Sequence, residues 1–402
     1  MKYGPYSVNE SDAAEYTLPD PLMSDSGKKI TAAADWHNFR RPEIMKLLQK
    51  YEYGEVFPRP EEMSFQLLDR RENALGGKAV RKEIRISCSM FSGESISFTV
   101  LIYQPSGAAA PVPAFLGLNF IGNQHTTMET DVIPTGFTGS GKLAAEGNGT
   151  QHSRWIPEEI VSRGYASVTC CYHDIFPDRF GGEKDSVFKL FSAPDQMEVP
   201  GVRYSVIGAW SWGLSRIMDY LEHDPEIDSA RVALHGHSRL GKTALWAGAV
   251  DQRFKMVISN CSGCGGGALH KRKFGENISQ HFQFHYDLGL PCWFVKEMEQ
   301  FVFNEESLPI DQHELLAMIA PRPLAVGTAT EDPLADPKGE FLAARAASEV
   351  YRLYGSKGLE TAEMPEPDML VAGDISFHYR SGVHEQTPQD WGYYLQLADR
   401  YL

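Results

Sequence analysis

The order of short apolar runs and longer amphipathic stretches is the feature that most limits what this chain can fold into. From about residue 97 onward, candidate strands alternate with candidate helices, and the strands occupy 97–103, 114–120, 166–172, 231–235, 256–259 and 324–328. The clearest helix lies around 206–221, where the apolar residues line one face. This alternation predicts an α/β fold in which a mostly parallel central sheet is covered by helices on both faces, a three-layer sandwich.

The first part of the chain has a different character. Residues 1–95 are richer in proline and charge than the rest, and we expect them to form an N-terminal extension that wraps the core and adds an antiparallel edge to the sheet. Residues 96–402 are predicted to form a single structural unit, because no internal repeat or low-complexity linker divides them.

Charge and hydropathy argue against several classes of partner. A net charge of -15 and a pI near 5.4 disfavour nucleic acid. No window approaches 18 apolar residues, and the polar N-terminal stretch lacks the apolar segment of a signal peptide, so we expect no membrane partner. The six cysteines are scattered. These observations predict a cytoplasmic protein, and a periplasmic or secreted protein that has lost its leader is the alternative.

A serine stands on a tight corner directly after the apolar run 231–235. Residues 236–241 are GHSRLG, and a helix-like stretch follows. At the carboxyl edge of a parallel sheet, an abrupt strand-to-helix turn can hold the Ser238 hydroxyl toward a substrate. The fit to Gly-x-Ser-x-Gly is imperfect, because Leu240 occupies the place of the second glycine and Gly241 comes one residue late. Taken alone, Ser238 could instead cap the helix.

A nucleophilic serine needs a base and an orienting acid, and in this fold class they follow in the order serine, acid, histidine. The strand candidate 324–328 runs into Glu331 and Asp332, which would present a carboxylate at the carboxyl edge of the sheet. His378 and His384 lie in a predicted loop before the final helix candidate, 388–402. We favour His384, because it lies in a turn-rich segment. These partners favour the nucleophile interpretation of Ser238.

Several motifs together resemble the glucuronoyl esterases, carbohydrate esterase family 15. They are GHSRLGK at 236–242, SGCGG at 262–266, EDPLADP at 331–337 and GVH at 382–384, with shorter matches at 118–120 and 154–155. Members of this family are α/β-hydrolases that cleave esters between the glucuronic acid side groups of xylan and lignin alcohols. The resemblance spans most of the chain and implies an α/β-hydrolase fold, with residues 96–402 as the catalytic domain.

The resemblance also implies a role for individual residues. Ser238 would attack the ester carbonyl while His384 takes its proton, and an acyl-enzyme would then be hydrolysed. Arg239 matches the arginine that faces the developing oxyanion. Lys242 and Glu276 match residues that hydrogen-bond the sugar hydroxyls.

Two departures from the family pattern affect these roles. Cys261 stands where some members carry the catalytic acid, so the acid is expected from the other loop. There Glu331 is the first choice, because it matches the acid of the members that use that loop, and Asp332 is the alternative. Leu334 replaces a tryptophan that packs on the sugar in many bacterial members, which predicts a changed preference or affinity for the uronate.

The sequence therefore predicts a bacterial serine esterase of xylan degradation. Its expected substrate is a glucuronoxylan-derived oligosaccharide that carries a 4-O-methyl-glucuronoyl ester of the lignin-carbohydrate type. An acetyl xylan esterase is the first alternative, and a catalytically silent carbohydrate-binding protein is the alternative from another class. We expect no cofactor, no metal and a monomer.

Other polar motifs have weaker interpretations. Cys261 and Cys264 form a C-x-x-C without the second pair that a structural zinc site needs. His281 and His285 are spaced as zinc ligands on a helix would be, but no glutamate base stands between them. A further group follows two of the predicted strands and could either line the site or satisfy turns: Asn119, Asn123, His125, His173 and Asp174.

Overall fold

The computed structural model of the chain describes residues 6–136, 147–192, 203–288 and 293–402. Within them, strands β1 to β10 join into one sheet in the order β1-β2-β3-β5-β4-β6-β7-β8-β10-β9. The strands are β1 Glu62–Asn73, β2 Ala79–Ser89, β3 Ser95–Pro105, β4 Val112–Asn119, β5 Ala166–Cys171, β6 Ile227–His237, β7 Met256–Asn260, β8 Leu324–Ala329, β9 Met369–Val371 and β10 Ile375–Arg380.

The centre of the sheet is parallel. Strands β5, β4, β6, β7, β8 and β10 pair in parallel with one another in that order. Strands β1, β2 and β3 form an antiparallel edge that is continued by the antiparallel pairing of β3 with β5, and β9 pairs antiparallel with β10 at the opposite edge. Each of the six predicted strands overlaps an observed one, and the predicted antiparallel edge is present. The loop predicted around His378 is wrong, because His378 lies in β10, which pairs with β8.

The helices connect and cover these strands. They are α1 Ala33–Asp35, α2 Arg41–Leu48, α3 Ala74–Gly77, α4 His152–Trp155, α5 Pro157–Ser162, α6 Phe188–Phe191, α7 Val206–Leu221, α8 Arg239–Val250, α9 Ile278–Leu288, α10 Gln312–Ala317, α11 Pro337–Arg352 and α12 Pro388–Tyr401. In the described part of the chain, no helix combines the length and the apolar character that crossing a bilayer requires.

Both faces of the sheet are buried, as in a three-layer α/β sandwich. Leu234 in β6 and Val257 in β7 belong to a large core that includes side chains of α7, α8 and α11. Their neighbours Ala233 and Ile258 belong to a second core with side chains of α5 and α12. Because successive side chains of a strand point to opposite faces, strands buried on both sides carry the near-continuous apolar runs seen in the sequence.

The N-terminal segment packs into the large core. Trp36 and Tyr53 are fully buried, and the ring of Tyr53 stacks on Trp246 of α8, with 4.6 Å between centroids. Arg40, also buried, donates to the Glu314 carboxylate at 3.0 Å. The segment therefore supports the helix that begins beside Ser238, and the division at residues 95 and 96 stays a prediction.

Four neighbouring strands end at the same edge of the sheet. Strands β6, β7, β8 and β10 lie side by side in parallel, so the loops that follow His237, Asn260, Ala329 and Arg380 lie next to one another. These loops carry most of the residues that the sequence predicts for the site.

Candidate active site

Ser238 lies on a strained turn between β6 and α8. Its backbone has φ 57° and ψ −129°, a conformation that side-chain-bearing residues rarely adopt. A Cβ on Gly236 would lie only 1.9 Å from the carbonyl oxygen of Leu240, so this turn needs glycine there. Gly241 is also tightly packed, because a Cβ there would lie 3.0 Å from that of Ser262. The late second glycine is thus compatible with the sharp corner of a nucleophile elbow.

His384 and Asp332 are paired across two adjacent loops. His384 Nδ1 lies 2.6 Å from Asp332 Oδ2, and the loops that carry them follow β10 and β8. Asp332 is buried, whereas the side chain of His384 is 43% exposed. A proton on Nδ1 satisfies this contact and leaves Nε2 free to accept a proton. The pair has the chemistry of a general base with an orienting acid.

The preference for Glu331 over Asp332 is not supported by this geometry. Glu331 is exposed, and its backbone N–H donates to the Gly382 carbonyl oxygen at 2.8 Å. That hydrogen bond joins the two loops through the backbone. The next residue, Asp332, directs its carboxylate to the imidazole of His384. Asp332, the alternative acid, therefore contacts His384. His378 instead contacts buried Asp390 at 2.8 Å.

A second imidazole lies beside His384. The rings of His237 and His384 are 4.6 Å apart, and His237 Nδ1 lies 2.7 Å from Asn260 Oδ1. Burial holds the pKa of His237 well below its ordinary value. A neutral His237 adds no positive charge against the imidazolium that His384 becomes when it accepts a proton.

Arg239 is held in place by a buried carboxylate. Its guanidinium pairs with Asp178 and lies over the Trp293 ring at 4.5 Å from the centroid. Asp178 also accepts hydrogen bonds from Trp293 Nε1 at 2.9 Å and from the Tyr172 hydroxyl at 3.1 Å. Burial alone would lower the pKa of Arg239, but the Asp178 carboxylate holds it above its ordinary value. The Nε of Arg239 is buried and has no hydrogen-bond partner among the residues that the structure describes.

Lys242 and Glu276 form an ion pair on the same side of the site. Lys242 Nζ donates to Glu276 Oε2 at 2.9 Å and to the Ser262 carbonyl oxygen at 2.6 Å. His281 Nε2 lies 3.7 Å from Glu276 Oε2. Burial alone would raise the pKa of Glu276, but Lys242 and His281 outweigh it, so that the pKa lies below its ordinary value. Glu276 is thus a carboxylate that can accept hydrogen bonds from hydroxyl groups.

These side chains meet in one cavity of about 380 Å³. All the predicted site residues line it except Glu331, and Leu334 is 43% exposed. Trp293 also lines the cavity, although the sequence did not predict this residue. Its only sequence signal is its aromatic type, because no recognised motif surrounds position 293. The full lining consists of Ser238, Arg239, Lys242, Cys261, Ser262, Gly263, Glu276, Trp293, Asp332, Leu334, Ala335 and His384.

A buried glutamate supports the floor of the cavity. Glu340 Oε1 accepts hydrogen bonds from the backbone N–H groups of Ser262 and Gly263, at 2.8 and 2.9 Å, and from the Ser262 hydroxyl at 2.9 Å. Burial raises the pKa of Glu340 to about 8. Its other oxygen, Oε2, is buried without a hydrogen-bond partner in the described protein, as suits a carboxyl group that keeps its proton.

The remaining polar residues singled out in the sequence serve structural contacts. The Asn119 side chain donates to Asn123 at 2.8 Å and accepts from the Gly122 N–H, also at 2.8 Å. His173 accepts from the backbone N–H of Asp178 at 3.0 Å. None of the five residues in that group lines the cavity, which favours their interpretation as turn residues. The side chain of His285 lies outside the described residues.

Comparison with known proteins gives consistent matches. A family model described as "Glucuronyl esterase, fungi" matches residues 160–355. A solved structure of a promiscuous esterase of carbohydrate esterase family 15 from a marine bacterial metagenome is 41% identical, with a TM-score of 0.89, and the match covers 99% of this chain and 100% of that one. A glucuronoyl esterase from Solibacter usitatus is 38% identical, with a TM-score of 0.90, over 97% of this chain and 99% of that one. A 4-O-methyl-glucuronoyl methylesterase from Schizophyllum commune is 30% identical over 84% of this chain and 74% of its own length.

Proposed function

Because this chain belongs to the glucuronoyl esterases of carbohydrate esterase family 15, we propose that it hydrolyses 4-O-methyl-glucuronoyl esters with Ser238 as its nucleophile. It is a carboxylic ester hydrolase. The observation that carries the assignment of residues is the contact between His384 and Asp332 in the cavity that Ser238 also lines.

The reaction proceeds in two halves. Ser238 Oγ forms a bond to the ester carbonyl carbon while His384 Nε2 takes the hydroxyl proton, and Asp332 stabilises the imidazolium through Nδ1. The bond to the alcohol oxygen then breaks, and His384 returns the proton to the leaving alcohol. Water hydrolyses the acyl-enzyme by the same steps, with His384 as its base, and a glucuronic acid is released.

Arg239 stabilises the negative charge that forms on the carbonyl oxygen. Its Asp178 contact and its position over Trp293 fix the guanidinium before substrate arrives. The Nε, which no hydrogen-bond acceptor contacts within the described part of the chain, supplies a donor to this oxygen. Donors that are already in position contribute about 3 kcal/mol to transition-state stabilisation in related chemistry.

Lys242 and Glu276 recognise the sugar. The ammonium donates to sugar hydroxyl oxygens and the carboxylate accepts from hydroxyl protons, so together they fix the acyl side of the ester. Leu334 offers an aliphatic surface to the sugar where the family pattern has a tryptophan, and Trp293 supplies the aromatic surface inside the cavity. This arrangement supports a uronate on the acyl side.

We further propose that the natural substrate is an oligosaccharide derived from glucuronoxylan, and that the enzyme acts as a monomer in the cytoplasm. The five cysteines within the described residues are free thiols, as a reducing compartment leaves them. Fractionation of the source cells tests the compartment, because recovery from the periplasm or the medium would contradict it.

The function is tested by a paired assay on benzyl glucuronate and acetylated xylose, with Ser238→Ala as the blank. We expect turnover of the uronate ester that the substitution abolishes. Turnover of the acetyl ester alone would contradict the uronate assignment and favour the acetyl xylan esterase. A failure of Ser238 to react with a fluorophosphonate probe would favour a silent carbohydrate-binding protein.

A further inference from the structure

A thiol lies beside the imidazole and the carboxylate of the proposed catalytic pair. Cys261 follows β7 directly, and its backbone N–H donates to the Gly327 carbonyl oxygen at 2.7 Å. One donor atom from each of Cys261, Asp332 and His384 lies within 4.8 Å of the other two. All three residues also line the cavity, so an ion that enters the cavity can reach them.

We propose that Cys261, Asp332 and His384 form a binding site for a thiophilic divalent cation such as Zn²⁺, and that occupancy of this site inhibits the esterase. The donor set is one sulfur, one nitrogen and one oxygen. This is the combination that favours zinc over magnesium or calcium, which prefer oxygen ligands alone. Three protein ligands leave a fourth position for water on the cavity side.

The distances fit such a site after a small adjustment. Zinc bonds of about 2.0–2.3 Å in a tetrahedron place the ligand atoms about 3.3–3.5 Å apart. The His384 to Asp332 contact of 2.6 Å must therefore open, and Cys261 must approach by little more than about 1 Å. The imidazole can make this movement because its side chain is 43% exposed, whereas the other two residues are buried and line the cavity.

The binding step balances in charge and protons. The Cys261 thiol releases one proton to solvent, and Asp332 remains a carboxylate. The imidazole of His384 exchanges its proton from Nδ1 to Nε2 through solvent, so it stays neutral and binds the ion through Nδ1. Zn²⁺ then forms bonds to sulfur, Nδ1 and a carboxylate oxygen, and the two anionic ligands neutralise its charge. Inhibition follows because the hydrogen bond that orients His384 for proton transfer is replaced by a metal bond.

A second cysteine provides a matched control. Cys264 Sγ lies 3.2 Å from His270 Nδ1, and His270 Nε2 lies 3.0 Å from Glu52. Here the imidazole lies between the thiol and the carboxylate and contacts them through different nitrogens. The three donor atoms therefore do not face a common point, and we expect no metal site at Cys264.

The first test uses Co²⁺ as a spectroscopic probe in the Ser238→Ala variant of the full chain. We expect a thiolate-to-cobalt charge-transfer band in the near ultraviolet that Cys261→Ser removes and Cys264→Ser retains, with Zn²⁺ displacing the cobalt. Because this variant lacks the nucleophile, the result does not depend on the proposed esterase function. Absence of the band, or its persistence in Cys261→Ser, would overturn the proposal.

The second test measures inhibition. Zn²⁺ should inhibit the unmodified enzyme reversibly, with activity restored by a chelator, whereas Mg²⁺ should have no effect. Even outer partners of a metal ligand contribute about tenfold or more to affinity, so Cys261→Ser should raise the half-inhibitory Zn²⁺ concentration by at least about tenfold relative to Cys264→Ser. Each variant is compared with its own metal-free rate. Equal Zn²⁺ sensitivity of the two variants would overturn the proposal.

Discussion

At the scale of single residues, two adjacent carboxylates have different surroundings. Asp332 is buried and contacts His384, whereas Glu331 is exposed. We predict that Asp332→Asn lowers kcat by on the order of 10³-fold or more, because the imidazole loses the partner that fixes its tautomer. Glu331→Gln, which removes the same charge, should change kcat by less than about twofold, since exposed surface charges contribute little. Steady-state kinetics on a glucuronate ester measure both, and equal losses would contradict the assignment.

Glu276 tests recognition of the sugar. We predict that Glu276→Gln raises KM for the glucuronate ester by at least about tenfold, because a hydrogen bond to a charged group contributes roughly 1.5–3 kcal/mol and each 1.4 kcal/mol is about tenfold in affinity. The value of kcat should fall less, since Glu276 pairs with Lys242, whereas the carboxylate that contacts His384 is that of Asp332. Activity on a simple aryl acetate, which carries no sugar, provides the control. A loss on the aryl acetate equal to that on the glucuronate would contradict a role in sugar binding.

The residues of the site were predictable to different degrees. Ser238, Arg239 and Lys242 lie in one continuous motif, so the resemblance to the family predicted all three, and all three line the cavity. The choice between Glu331 and Asp332 depends on the direction of two successive side chains in a turn, which a sequence pattern does not contain. Asp178 and Trp293 were missed for another reason. They come from separate parts of the chain, and only tertiary packing brings them to Arg239.

At the scale of secondary structure, the turn between β6 and α8 depends on its first glycine. We predict that Gly236→Ala lowers the free energy of unfolding by at least about 3 kcal/mol, because the new Cβ would lie 1.9 Å from a backbone oxygen. Gly392 is exposed in α12, and a Cβ added there would have no atom within 4 Å. Gly392→Ala should therefore raise the free energy of unfolding by about 0.5–1 kcal/mol, because alanine has the higher helix propensity. Urea unfolding followed by tryptophan fluorescence measures both. If Gly236→Ala has the same free energy of unfolding as the unmodified protein, the turn does not require glycine.

The elements were predictable where burial leaves a strong pattern. Five of the six parallel strands of the centre, β4 to β8, are buried and appear as apolar runs, so they were found, together with antiparallel β3. Strand β1 is exposed along most of its length, and β9 has only three residues. Neither strand therefore shows a clear alternation of apolar and polar residues in the sequence. Strand β10 contains His378 and Arg380, whose side-chain nitrogens contact the carboxylate of buried Asp390. Polar residues with buried partners hid this strand from the hydropathy pattern.

At the scale of the whole molecule, Glu340 makes stability depend on pH. Its pKa of about 8 lies above the ordinary value of 4.5. Between these two values the unfolded chain has released a proton that the folded protein retains, so the free energy of unfolding falls as the pH rises and levels off above about 8. We predict that the unmodified protein loses stability relative to Glu340→Gln by up to about 1 kcal/mol per pH unit in this window.

Denaturant unfolding of both proteins at pH 5, 6.5 and 8 measures this difference. Glutamine keeps the carbonyl oxygen that accepts from Ser262 and Gly263, so the variant is expected to fold. Parallel stability curves would contradict a raised pKa for Glu340.

The ion pairs that the cationic side chains of the cavity form with carboxylates have a consequence for product release. Both cationic side chains that line the cavity within the described residues, Arg239 and Lys242, already contact internal carboxylates, Asp178 and Glu276. Hydrolysis turns a neutral ester into an anion, which an unpaired arginine or lysine would retain. Since these charges are compensated before the reaction begins, we expect them to hold the acidic product less tightly than unpaired cations would. We therefore expect the rate to fall little as product accumulates.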